Sequence, residues 1–271
     1  MNVGLFAESS RCLLLPDPQK KCIAVSELAI RVKNGAVFFD EDTAVPPVDK
    51  PGRPDLPVLM APAQVPRRRL GGSAGRIALV HAIAHIEFNA INLALDAVCR
   101  FRGMPESYYH DWISVANDEA RHFRLLTTRL EQMDACYGDL PAHNGLWEMA
   151  EKTADSCLVR MALVPRVLEA RGLDVTPGMI KRLQKVGDVE TVSVLEVILE
   201  EEVGHVAIGT NWFHYCCELV GKKPLPTFLE LLEERYGGVL RGPFNLKARL
   251  AAGFTEEEMS RLDDRSKQHR A

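Results

Sequence analysis

Asp118-Glu119-Ala120-Arg121-His122 stands in the middle of one long helical pattern, residues 106–135. Glu201-Glu202-Val203-Gly204-His205 stands in the middle of another, residues 188–219. Each contains Glu-x-x-His. At 100° per residue the two side chains lie about 60° apart on one face and about 4.5 Å apart along the axis. A carboxylate and an imidazole from one helix can therefore reach the same metal ion. Chance placement of 22 Glu and 8 His in 271 residues supplies fewer than one such pair. Both copies are flanked by apolar residues, where an uncompensated carboxylate is costly.

A di-metal site in a four-helix bundle needs two such motifs and one further glutamate from each of the other two helices. The pattern over 73–101 places Leu79, Ile83, Ile86, Ala90, Leu93, Ala94 and Ala97 at three and four spacing, the signature of an amphipathic helix, with Ser73 as its expected N-cap. Glu87 is the one acidic residue between Ser73 and Leu95. The fourth helical region, from about 146 to 185, offers Glu169. A break is expected in it over 172–177, where Thr176-Pro177 reads as a fresh N-cap and first helical position. Asp188 is expected to cap the next helix.

The heights agree. Glu87 lies 17 residues before Met104 in the first inter-helix turn and Glu119 lies 15 after it. Glu169 lies 18 before Gly187 and Glu202 lies 15 after it. Antiparallel helices rising about 1.5 Å per residue bring each pair to nearly one level. The separations repeat, 32 residues from Glu87 to Glu119 and 33 from Glu169 to Glu202, with 50 between Glu119 and Glu169 for a crossover. Two like hairpins joined by a crossover predict a ferritin-like four-helix bundle. If the chain changes direction at 172–177, Glu148, Glu151 and Glu190 are the reserve ligands.

Outside the bundle, residues 1–35 hold two helix-compatible stretches, 3–14 and 22–32, separated by Pro16-Asp17-Pro18, and Asn34-Gly35 reads as a turn. Seven prolines between 44 and 70 exclude regular helix or central strand. That stretch reads as an extended strap docking through Val58, Leu59, Met60 and Val65. Helices are expected at 227–236 and 246–262, then a frayed charged tail over 263–271. No segment shows strand alternation. The expectation is an all-α chain with N-terminal helices and strap (1–70), a bundle (71–220) and C-terminal accessory helices (221–271).

Composition narrows the function classes. A net charge of -4 weighs against a general polyanion binder. No run of 18 apolar residues exists, so no membrane span is expected, and the N-terminus lacks the basic start of a secretory signal. Seven irregularly spaced cysteines without a C-x-x-C pair give neither a disulfide framework nor a cysteine zinc site. They read as small buried hydrophobes in a cytoplasmic protein. Gly71-Gly72 and Gly237-Gly238 lack the strand–loop–helix setting of a phosphate loop, and no nucleophile elbow occurs. His81 and His85 share a helix face but find no third ligand. They read as structural, as do His110, His143, His214 and His269. Tyr108, Tyr109 and Trp212 read as core.

His85-Ile86-Glu87, the Asp118–His122 run, Glu201–His205 and Arg160-Met161-Ala162-Leu163-Val164-Pro165-Arg166-Val167-Leu168-Glu169-Ala170-Arg171-Gly172 together resemble a bacterial ferritin-like family, a domain of unknown function. The resemblance covers most of the chain, from Gly71-Gly72 to Pro243-Phe244-Asn245 and Ala252-Gly253-Phe254. Leu168-Glu169-Ala170-Arg171 is also similar to a more distant relative, the di-iron tRNA hydroxylase acting on a prenylated adenosine. The resemblance implies two Fe ions, with Mn/Fe as the variant pair. It implies Glu87 and Glu169 as terminal ligands, Glu119 and Glu202 as bridges, and His122 and His205 as one imidazole per ion. Asp118, Asp188 and Glu201 are the candidates to support the imidazoles, and Gly204 allows close backbone approach beside His205. The leading expectation is an O2-activating hydroxylase or oxidase of a small organic substrate, fed by an electron donor, with the strap and Phe244-Asn245 as pocket walls. The alternatives are a tRNA-modifying hydroxylase contacting phosphate through Arg67-Arg68-Arg69 and Arg76, against which the acidic pI weighs; an iron-oxidising storage protein, against which the terminal additions weigh; and a non-enzymatic helical scaffold. The helix faces are compatible with a homodimer.

Overall fold

Asp17 and Pro18 start a helix in the way their chemistry dictates. The Asp17 carboxylate accepts from Lys20 N at 3.0 Å, and Pro18, whose missing N–H costs nothing in the first turn, opens α2 (Pro18–Lys33). The helix before it is α1 (Leu5–Leu14). These assignments come from a computed structural model that describes residues 3–40, 48–64, 70–237 and 239–268. The chain divides into two compact units, residues 1–148 and 149–271.

Among the described residues, the first unit adds to its helices one small parallel sheet that the sequence did not disclose. Strand β1 (Val3–Gly4) pairs with β2 (Val37–Phe38). Two residues per strand are too few for alternation to register. Helix α1 accordingly begins at Leu5 and not at Val3. Its N-terminus is capped from 34 residues away: Phe6 N and Ala7 N donate to the Asp40 carboxylate at 2.8 and 3.2 Å.

Helix α3 (Ser73–Arg100) turns through Gly103 (φ +75°) into α4 (Glu106–Glu131). Ser73 is the first helical residue and Gly72 the cap, without a side-chain hydrogen bond. Every α3 residue from Glu87 to Cys99 is buried, because α1 packs on this helix as well as α4. By length and composition α3 matches a membrane span, and 67% of its most apolar window is buried inside the protein.

The strap docks by its backbone, and of the side chains expected to dock Leu59 is half-buried. Met60 N donates to Ala142 O (2.8 Å) and Ala142 N to Val58 O (3.1 Å), while the Val58 and Met60 side chains are 54% and 39% exposed. Val65 lies outside the described residues. Lys21, wholly buried, ties three elements together. Its Nζ donates to Leu13 O (2.9 Å), Gly52 O (2.8 Å) and Asn92 Oδ1.

Helix α5 (Gly145–Lys152) carries the chain onward. The second unit then runs α6 (Cys157–Leu163), a π-helical turn over Val164–Glu169, α7 (Ala170–Lys185), α8 (Val189–Leu219), α9 (Pro224–Leu231), a second π turn over Leu232–Tyr236, α10 (Leu246–Ala251) and α11 (Glu256–Gln268). Asp188 caps α8 through Thr191 N at 3.1 Å, as expected.

Two expectations fail here for physical reasons. The break at 172–177 does not occur: α7 continues through Gly172 and Pro177. Pro177 cannot donate to the carbonyl four residues earlier, but Asn245 Nδ2 donates to that carbonyl, Leu173 O, at 3.1 Å. The irregularity sits earlier, at Pro165, where the backbone widens into the π turn. Gly209 of α8 makes room for it, since a Cβ there would stand 2.2 Å from Pro165 Cβ and Cγ. The single last helix is in fact two. Gly253 (φ +86°) ends α10, and Thr255 with Glu258 forms a reciprocal capping box that starts α11, with bonds of 2.8 and 3.1 Å. That helix holds its geometry to Gln268, where fraying was expected from 263.

Candidate metal centre

In the first unit Glu87 of α3 meets Glu119 and His122 of α4. Each offers a ligand atom, and these lie within 4.8 Å of one another. His122 Nδ1 stands 3.2 Å from Glu87 Oε2 and 3.5 Å from Glu119 Oε2. All three side chains are buried, and His122 has no solvent exposure. The i,i+3 spacing on α4 puts Glu119 and His122 on one face, and the antiparallel turn at Gly103 brings Glu87 level with them.

Electrostatics show what the group needs. Burial alone would lower the imidazole pKa, yet hydrogen bonds and charge from Glu119 and Glu87 overturn that and push it up to about 11. A proton on His122 offsets part of the charge of the two carboxylates. Two hard carboxylates and one imidazole form a donor set suited to a first-row transition metal, and a divalent cation would take over the charge that this proton supplies.

In the second unit Glu202 and His205 of α8 are buried, with His205 Nδ1 3.3 Å from Glu202 Oε1. Glu169 is the last residue of the first π turn and is half-buried. Among the described residues, Glu169, Glu202 and His205 do not gather within 4.8 Å as the first unit's three do. The reserve residues Glu148, Glu151 and Glu190 are all exposed.

Asp118 forms a half-exposed pair with Arg121 at 3.6 Å, and Asp188 caps α8. Gly204 is exposed, with no atom within 4 Å of where a Cβ would stand, so no close approach or distortion marks it. Phe244 and Asn245, expected as pocket walls, make contacts within the second unit. Arg249 stacks 5.0 Å over the Phe244 ring, and Asn245 serves α7. Arg67-Arg68-Arg69 lie outside the described residues, as does His269.

Sequence reading missed Tyr137. It lies in the loop after α4 and stacks on His81 and His85 at 5.5 and 6.1 Å. It also meets Phe123 at 5.0 Å and Phe88 at 5.8 Å, the chain neighbours of His122 and Glu87. Its hydroxyl is 2.9 Å from His85 Nδ1. His85 Nε2 lies 3.2 Å from His143 O and 3.0 Å from Asn89 Nδ2. Burial lowers the His85 pKa to about 4 and raises that of Tyr137, so both are neutral. His81 Nε2 accepts from Gly138 N at 2.9 Å. The two histidines are thus structural, as expected, and the partner they hold is the tyrosine. Tyr108 and Tyr109 pack in the core, their hydroxyls donating to Ala97 O and Phe101 O. Tyr137 and Phe123 also floor a groove of about 910 Å³ whose walls include Pro16, Ile23, Pro54 and Arg124.

Fold and site together define a mostly helical protein with a buried glutamate–histidine cluster able to hold a metal ion. The chain belongs to the family described as protein of unknown function (DUF455), whose model matches residues 14–260. An uncharacterized protein of Haemophilus influenzae is 42% identical over 253 residues, which is 90% of this chain and 88% of that one. No solved structure matches.

Proposed function

We propose that this protein is a ferritin-like di-iron carboxylate oxidoreductase that activates O2 to hydroxylate or oxidise a small organic substrate. The observation that carries the reading is the buried convergence of Glu87, Glu119 and His122, two carboxylates closed on one imidazole from two antiparallel helices. A solvent-excluded cluster of this charge calls for a cation. Glu202, His205 and Glu169 are the second half of the proposed ligand set, supported by the repeated Glu-x-x-His motif and the matched separations of 32 and 33 residues. Glu87, Glu119, His122, Glu169, Glu202 and His205 would together hold the two ions.

Bound iron would supply the electrons and the open coordination positions that O2 reduction needs. The chain's own part is to present oxygen donors and neutral imidazoles from rigid helices and to keep water out. His122 gives up its proton when metal arrives, since a ligating imidazole is unprotonated. The groove over Phe123 and Tyr137 is the proposed entry for an organic molecule.

Anaerobic Fe(II) reconstitution tests the reading. About two iron atoms per chain are expected, with O2 consumed in proportion on exposure to air. Glu202→Ala should abolish binding while helicity by circular dichroism stays unchanged. Wild-type protein that takes up no stoichiometric iron, or a Glu202→Ala variant that keeps it, overturns the assignment. Light scattering that finds a large shell would move the reading to iron storage.

A further inference from the structure

In the second unit, away from the carboxylates, two thiols meet. Cys157 is the first residue of α6 and Cys216 lies near the end of α8, two helices that pack on each other. Pro165 stands against Gly209 of α8, so in this antiparallel packing eight residues back and seven residues on bring Cys157 and Cys216 to nearly one level, where their side chains are hydrogen-bonded. Cys216 is buried, whereas Cys157 is half-buried. The other cysteines have different surroundings. Cys12, Cys22 and Cys99 are buried, and burial raises their pKa values. Cys217 bonds to Thr227, and Cys136 stands exposed on the loop after α4. Seven irregularly spaced cysteines gave no pairing from sequence, because 59 residues separate these two.

We propose that Cys157 and Cys216 form a reversible two-electron redox site, oxidised to a disulfide by a hydroperoxide and reopened by a small thiol. Cys157 is the attacking residue because it is the accessible one. As thiolate its sulfur attacks the peroxide, the O–O bond breaks, and Cys157 becomes a sulfenic acid while the departing oxygen leaves as water or alcohol. The Cys216 sulfur then attacks the Cys157 sulfur and the S–O bond breaks. The Cys216 proton leaves with that hydroxyl as water. Two thiols lose two electrons and two protons, and the peroxide is reduced. Burial and the hydrogen bond keep Cys216 a thiol at rest, which suits a resolving residue that acts once its neighbour is oxidised. The link would join the start of α6 to the end of α8 and enclose Glu169, Glu202 and His205 in one covalent loop. The proposal does not depend on metal at those residues.

Full-length protein is treated with hydrogen peroxide, alkylated and mapped by tryptic peptide mass spectrometry. A Cys157–Cys216 cross-link that dithiothreitol reverses is expected. In Cys216→Ser, dimedone should trap Cys157 as the sulfenic acid. Cys136, exposed and distant in sequence, reports that the oxidant was active. Cys157 and Cys216 both alkylated as in untreated protein while Cys136 is oxidised, or a link through Cys217 instead, overturns the proposal. The primary readout is on wild-type protein, so a variant that folds poorly does not decide the result.

Discussion

In the first unit His122 is enclosed by carboxylates from two helices, Glu87 at 3.2 Å and Glu119 at 3.5 Å. In the second unit His205 meets Glu202 of its own helix at 3.3 Å, and Glu169 of the preceding helical run stands half-exposed. The two hairpins carry the same residue types at the same separations, so composition does not distinguish them. Regularity does. Uninterrupted α3 and α4 keep the height and face set by their spacing, whereas the run from α6 to α7 passes through a π turn that ends on its glutamate. Glu87, Glu119 and His122 stand on regular helices, and the second group has its glutamate on an irregular backbone.

The largest effect expected from this contrast is on metal content. Glu119→Ala should lose all bound iron, while His205→Ala should fall from about two atoms per chain to about one, measured by mass spectrometry of the metal after desalting. Equal loss in both variants would break the comparison. Next comes the support of the irregular run. Arg166, within the π turn, is buried against Glu258 of α11 at 2.6 Å and lies 4.2 to 4.6 Å over the rings of Phe228, Phe254 and Phe213. Glu258→Ala leaves that guanidinium uncompensated and removes half of the α11 capping box. It should cost about 3–5 kcal/mol in urea unfolding, with hydrogen exchange rising over 164–169 while α3 stays protected. Exchange rising equally in α3 would show that the two units do not respond separately.

Lys21 supplies the corresponding test in the first unit. Burial pushes its amine down to about 7, from about 10.5 in an exposed lysine. Between those values the unfolded chain holds the extra proton, so stability should rise as pH climbs from 7 to 10 and level off on either side. Lys21→Met should remove that slope and cost about 1–3 kcal/mol by leaving three acceptors unanswered, read from thermal melts across the pH series. The smallest effect belongs to Asn245→Ala, which strands the Leu173 carbonyl, removes the α10 cap on Ala248 N and should cost about 1–2 kcal/mol. If that variant melts with the wild type, water satisfies the carbonyl and the clasp is dispensable.

What could be read from the sequence obeys the same division. Helices α3, α4 and α8, the Asp188 cap and the first-unit cluster were legible because each depends on residues within a turn or two, or on a short hairpin. The continuation of α7 was not, because the group that rescues Pro177 is Asn245, 68 residues further along. The cap on α1 was hidden for the same reason, its donor–acceptor pair spanning 34 residues. The capping box at Thr255-Glu256-Glu257-Glu258 was local and could have been read. So could Pro165, a proline within a helical pattern and a direct signal of a widened turn. Tyr137 had no motif to announce it.

The π turn at Val164–Glu169 also sets the angular phase of α7. A π turn holds one more residue than an α turn, so everything after it is rotated by about 100° relative to an uninterrupted helix. A helical wheel drawn across 157–185 with one period therefore assigns α7 to the wrong side. Deleting a single residue from the turn would swing Glu169, Leu173 and Ile180 together, like a dial moved one notch. Pro165, seated in the notch opposite Gly209, holds the setting.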